Sequence, residues 1–124
     1  MNTFYERIGG EVFFIDLVSR FYANVATNPI LRPMYPHTDM KGAARRLQLF
    51  LEQYWGGPTT YSDERGHPRL RMRHGGFFID EAAHDAWLSC MGEALEGMEL
   101  ASDLRAELWK YLESAARHLI NQPD

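Results

Sequence analysis

Apolar side chains in this chain recur at helical spacing wherever glycine or proline does not interrupt them, which restricts the fold to packed helices. Residues 11–26 carry Phe14, Leu17, Val18, Phe21, Tyr22 and Val25 in an i, i+3, i+4, i+7 stripe. Residues 40–55 repeat the pattern with Ala43, Leu47, Phe50, Leu51 and Tyr54, and Asp39 is placed to cap that helix. Asp80 can cap a third long helix bearing Ala83, Trp87, Met91, Ala94, Leu95 and Met98. Ser102 opens a fourth, with Leu104, Leu108, Tyr111, Leu112, Ala115 and Leu119 on one side. Asn28-Pro29 ends the first long helix, because proline lacks a donor and restrains its predecessor. Residues 4–8 make one short turn, and residues 58–67, bounded by Pro58 and Gly66, read as a polar loop. Pro68 suits the first turn of a short helix that runs to His74. No hairpin dipeptide joins two β-rich runs. The pattern predicts a single all-α domain over residues 1–124, with four main helices and minor turns.

Several chemistries are disfavoured at once. The net charge of −4 argues against nucleic acid as a general partner, since phosphate binding needs a broad basic face. The single Cys90 rules out an internal disulfide, and its apolar mid-helix setting reads as an inert packing thiol. No charged-then-apolar leader and no bilayer-length apolar run occur, which predicts a cytoplasmic protein without membrane contact. The chain has no His-Glu-x-x-His, no paired cysteines, no acidic calcium loop and no glycine-rich phosphate loop.

One segment stands out against that acidic background: His67-Pro68-Arg69-Leu70-Arg71-Met72-Arg73-His74-Gly75-Gly76-Phe77. His74 falls where a short helix must end, and Gly75-Gly76 lets the chain turn sharply behind it. An axial histidine flanked by the cations Arg71 and Arg73 matches a haem, whose iron needs a donor and whose propionates need positive partners. Arg69 is left to solvent. The other histidines read differently. His37 follows Pro36 in a turn and His84 sits in an acidic helix start, so both are expected at the surface. His118 suits the last turn of a helix, and His67 can pin its loop. Tyr22, Tyr35 and Trp87 lie on apolar faces or between prolines, and their buried donors need acceptors. Backbone carbonyls are the ordinary partners. A diatomic ligand or an oxyanion on haem would also accept from all three.

With these residues in view, the chain resembles the truncated haemoglobins, and within them the second group, the oxygen-binding-type bacterial globins. The resemblance rests on Phe4-Tyr5 with Gly9-Gly10, Val18-Ser19-Arg20-Phe21-Tyr22 and Pro33-Met34-Tyr35-Pro36. It rests most on Phe50-Leu51-Glu52-Gln53-Tyr54-Trp55-Gly56-Gly57-Pro58 and on the run from Arg65 to His74. It implies a globin-like two-over-two helical sandwich around one haem b. His74 matches the proximal ligand to iron, and Tyr22, Tyr35 and Trp87 match the distal ligand-stabilising residues. Leu47 and Leu51 match the cover of the distal face, Arg73 the propionate partner, and Tyr61, His67 and Arg71 further haem-binding positions. Ala43 stands where larger globins place a distal histidine. The resemblance further implies a five-coordinate iron that takes dioxygen, nitric oxide, carbon monoxide and small anions, with slow oxygen release. Such a protein suits oxygen, nitric oxide or peroxide redox chemistry, or oxygen storage. A peroxidase or a nitric oxide dioxygenase is the alternative; it would need a separate reductase, because 124 residues hold no flavin or nicotinamide domain. A homodimer is a compatible assembly.

Overall fold

The computed structural model describes residues 2–35 and 39–122, apart from the Arg71 side chain. Among the described residues seven α-helices follow in order: α1 Phe4–Ile8, α2 Gly10–Ala26, α3 Met40–Tyr54, α4 Thr60–Arg65, α5 Leu70–Arg73, α6 Glu81–Glu96 and α7 Ser102–His118. A 3-10 turn, Arg32–Met34, separates α2 from α3. Helix α2 packs against both α3 and α6, and α6 packs against α7. The result is the two-over-two sandwich, with α2 and α3 facing α6 and α7. Phe14, Leu17, Phe21 and Val25 of α2 meet Met91 of α6 and Leu108 of α7, all with no solvent exposure. Asn24 ties α2 to α6 directly, its Nδ2 donating to the Cys90 carbonyl at 2.9 Å.

The predicted boundaries hold for the long elements, and the caps explain why. Asp80 accepts from the Ala83 amide at 2.9 Å and opens α6. Asp39 precedes α3 but gives its carboxylate to Arg46 instead of to a backbone amide. The join between α1 and α2 needs glycine: Gly9 adopts φ +121 and Gly10 φ +64. Gly57 is required for closeness, since a Cβ there would come within 2.7 Å of the Tyr5 ring.

Four expectations change. Residues 58–67 are not simply a loop: Thr60–Arg65 form α4, fastened to α3 by Gln53, which donates to Ser62 Oγ at 2.7 Å and accepts from its amide at 2.9 Å. Its polar composition hid a turn of helix whose one buried face is Tyr61. The short helix that ends at His74 begins at Leu70, after Arg69 takes a left-handed φ of 45, so Pro68 lies outside it. Neither Gly75 nor Gly76 is left-handed. Gly75 donates to the Met72 carbonyl at 3.1 Å and Phe77 to the His74 carbonyl at 3.0 Å, and these bonds make the turn. His84 is buried, 7% exposed, because it lies one turn before Trp87 on the inward face of α6. His37 and the Arg71 side chain lie outside the described residues.

Glu52 is the buried carboxyl of the fold, 3% exposed, with Tyr5 Oη at 3.4 Å and Gln48 Nε2 at 3.3 Å as donors. Burial pushes its pKa above the usual carboxylate range, and the hydrogen bonds from Gln48 and Tyr5 offset that only in part. A folded-state pKa above the unfolded one means the native protein holds the proton more tightly. Stability therefore falls as pH rises from the unfolded to the folded value, and the penalty persists above it. Glu52→Gln should gain stability over the parent protein as pH climbs through that window, with little difference below it. Urea unfolding of both proteins across pH checks this.

Candidate functional site

Helices α2, α3, α6 and α7 do not close on one another at one end. Their inner faces, with α4 and α5, enclose a cavity of about 650 Å³. That volume lies in the range of small-molecule and cofactor sites. Around it stand Tyr22, Tyr35, Leu47, Leu51, Tyr61, Arg73, His74 and Trp87, residues far apart in sequence that the fold brings together. Ala43 is on the same wall. His67 is not: it is exposed, and its carbonyl accepts from Arg73 at 3.4 Å.

His74 caps α5, and its ring Nδ1 lies 2.7 Å from the Leu70 carbonyl. A carbonyl can only accept, so Nδ1 carries the proton and Nε2 keeps its lone pair. This arrangement makes an imidazole a good metal donor and fixes its ring plane. Asn121 holds the segment from the other side. Its Nδ2 donates to the carbonyls of His74 at 3.3 Å and Phe77 at 2.9 Å, and its Oδ1 accepts from the Ile79 amide at 3.0 Å. Nothing in the local sequence around residue 121 signals that role.

Across the cavity, the Tyr22 and Tyr35 rings meet edge-on, with centroids 5.6 Å apart. Burial is the chief reason that both phenols titrate above their ordinary value. At Tyr22 the neighbouring Tyr35 hydroxyl adds to that rise. Trp87 is held by Phe21, ring centroids 5.2 Å apart, and no protein acceptor for its Nε1 occurs among the described residues.

A third side of the cavity is cationic. Arg46 of α3, Arg65 of α4 and Arg73 of α5 all line it. Arg46 pairs with Asp39 at 2.6 Å and holds that carboxyl below the usual range. Arg73 gives Nε to Pro68 at 2.7 Å and Nη2 to Arg65 at 2.7 Å, bracing the chain before His74. Its Nη1 enters neither bond. Arg46 and Arg65 were not anticipated, although Arg46 shares a helix face with Ala43 and Phe50 through i+3 and i+4 spacing. Tyr111 on α7, which its helical stripe assigns to the core, also lines the cavity.

The His74 imidazole with its free Nε2, apolar walls, a cationic rim and the inward donors of Tyr22, Tyr35 and Trp87 fit a haem: an axial ligand, a hydrophobic bed and partners for two propionates. Residues 3–121 match the family described as bacterial-like globin. This chain belongs to that family. Its similarity to group 2 truncated hemoglobin YjbI of Bacillus subtilis is 45% identity over 99% of this chain and 92% of that protein. Among solved structures it is similar to a thermostable hemoglobin from Thermobifida fusca, at 51% identity and a TM-score of 0.96, over 99% of this chain and 100% of that one. It is also similar to the truncated oxygen-avid haemoglobin from Bacillus subtilis, at 45% identity and a TM-score of 0.91, over 97% and 100%. As a group 2 truncated haemoglobin, the globin is of a kind that binds haem and, through it, oxygen. No helix among its described residues is long and apolar enough to cross a membrane.

The tyrosine pair in this globin is testable without any ligand. A double-mutant cycle with Tyr22→Phe and Tyr35→Phe, read by denaturant unfolding of the haem-free protein, should give a coupling of about 0.5–1.5 kcal/mol. A coupling indistinguishable from zero would mean that the two hydroxyls do not bond.

Proposed function

We propose that this globin holds haem b through His74, binds dioxygen, nitric oxide, carbon monoxide and small anions, and releases oxygen slowly. The observation that carries the reading is the sharing of one cavity by His74, with Nε2 uncommitted, and by Tyr22, Tyr35 and Trp87. Haem, when bound, supplies an iron with an open coordination position for such ligands. The protein supplies the rest. His74 is kept in one tautomer and one orientation by the Leu70 carbonyl. Tyr22 and Tyr35, edge-on to each other, bring phenolic hydroxyls to the cavity, and Trp87 brings an indole N–H from α6. Leu47 and Leu51 keep the space apolar, which strengthens any hydrogen bond made within it. Arg46, Arg65 and Arg73 are the partners available for propionates, with Tyr61 beside them, its ring 6.0 Å from the Arg73 guanidinium. Slow release would make the protein a poor carrier and suits oxygen, nitric oxide or peroxide redox chemistry, with electrons from a separate reductase. A cytoplasmic location accords with that use.

His74→Gly should lose the five-coordinate ferrous spectrum and regain it when imidazole is supplied. Unchanged haem binding and spectrum in that variant would overturn the assignment of His74. A charge-assisted hydrogen bond in a dry pocket contributes about 1.5–3 kcal/mol. At roughly 1.4 kcal/mol per factor of ten, Trp87→Phe should speed oxygen release about 10–100-fold. Stopped-flow dissociation measures it, and an unaltered rate would remove Trp87 from the donor set.

A further inference from the structure

The first turns of α6 gather a histidine and two carboxylates on one face. Glu81, His84 and Asp85 stand at i, i+3 and i+4, the spacing that makes neighbours on a helix surface. His84 Nδ1 lies 2.8 Å from Asp85 Oδ1 and 3.7 Å from Glu81 Oε2. One ligand atom from each residue falls within 4.8 Å of the other two. Two donors at about 2.0 Å from a tetrahedral ion are roughly 3.3 Å apart, so the two separations from Nδ1 bracket what one ion needs. The nitrogen belongs to a ring that is 7% exposed, so its orientation is set by packing before anything binds. Glu81 is fixed from outside the cluster. Arg117 of α7 donates to its Oε1 at 2.8 Å and leaves Oε2 for the side of the imidazole. The Asp85 side chain is 73% exposed and keeps the cluster open to solvent.

We propose that Glu81, His84 and Asp85 bind a divalent transition ion of the zinc class, and that this ion resets a hydrogen-bonding group inside the cavity. The ion would sit between Glu81 Oε2, His84 Nδ1 and Asp85 Oδ1. The donor set decides the class: imidazole with carboxylates suits zinc and its neighbours, whereas calcium and magnesium take oxygen ligands. The ordered partner behind Glu81 is the kind of outer contact that holds a metal ligand in place.

The second half of the proposal follows from the ring's two faces. His84 also lines the cavity, and its Nε2 has no protein partner among the described residues. In the neutral ring the Asp85 carboxylate keeps the proton on Nδ1, and Nε2 carries the lone pair. An ion binds Nδ1 through that nitrogen's lone pair, so the Nδ1–H bond must break. The same proton then goes to Nε2 by way of solvent, and none is lost overall. The free nitrogen of a cavity-lining ring changes from acceptor to donor. An ion on the outside of α6 thereby alters the polarity of the cavity wall without entering the cavity.

The test is calorimetric titration of the haem-loaded protein with zinc ion. Wild type should bind one zinc per chain. His84→Gln and Asp85→Asn should each weaken that binding at least about tenfold, and His118→Gln should leave it unchanged. Asp85→Asn is a surface change, and it decides the question if His84→Gln disturbs the packing of α6. Heteronuclear NMR of the histidine ring nitrogens in the diamagnetic carbon monoxide complex supplies the second readout. The His84 proton should be on Nδ1 without zinc and on Nε2 at saturating zinc. Undiminished zinc binding in Asp85→Asn, or no binding by wild type at millimolar zinc, would overturn the site. A His84 ring that keeps its proton on Nδ1 at saturating zinc would do the same. The Soret band reports separately on the haem reading, so either can fail without the other.

Discussion

Phe21 has no solvent exposure, sits edge-on to Tyr22 at 4.9 Å and packs against Trp87 at 5.2 Å. The seating of α2 on α6 therefore positions two of the inward donors at once. A shift of either helix would move both, and with Tyr22 would go its edge-on contact with Tyr35. Donors aimed in advance are useful because they need no reorganisation when charge arrives. Here that preorganisation comes from ordinary core packing: Phe14, Leu17 and Val25 continue the same interface above and below Phe21. The donor side of the cavity is as rigid as the core behind it.

The opposite side is built on another principle. Helix α5 is only four residues long and cannot hold its own shape by propensity. It is secured by polar contacts from outside: Arg73 reaches back to the carbonyls of residues 65 and 68, and Asn121 reaches in from beyond α7. Charged donors to backbone carbonyls are stronger than neutral ones, which suits a segment with so little apolar surface to bury. The residue expected chiefly to face a propionate is thus also a brace for the segment that carries His74.

How much of this was legible in the sequence divides along the same line. The long helices were readable because their apolar stripes are strong and their ends carry proline, glycine or a capping aspartate. His74, Tyr22, Tyr35 and Trp87 were readable as unusual residues in defined local settings. Helix α4 was hidden by its polar composition, since one buried tyrosine makes no periodic signal. His84 was misplaced because its acidic neighbours suggest solvent, while the i+3 relation to Trp87 decides its direction. It is buried with Nδ1 2.8 Å from Asp85, so the acidic start of the helix solvates it from outside. Arg46, Arg65 and Asn121 depend on contacts between elements distant in sequence, and no local pattern announces such contacts.

The Asn121 side chain spans three carbonyl or amide groups of residues 74, 77 and 79. In mechanical terms it is a latch: it ties the chain just beyond the last helix to the loop that carries the imidazole. A displacement of α7 would thus reach His74 as well as the cavity wall that Tyr111 and Leu112 supply. The seating of His74 is then tied to the far end of the chain, along a path that does not include Tyr22, Tyr35 or Trp87.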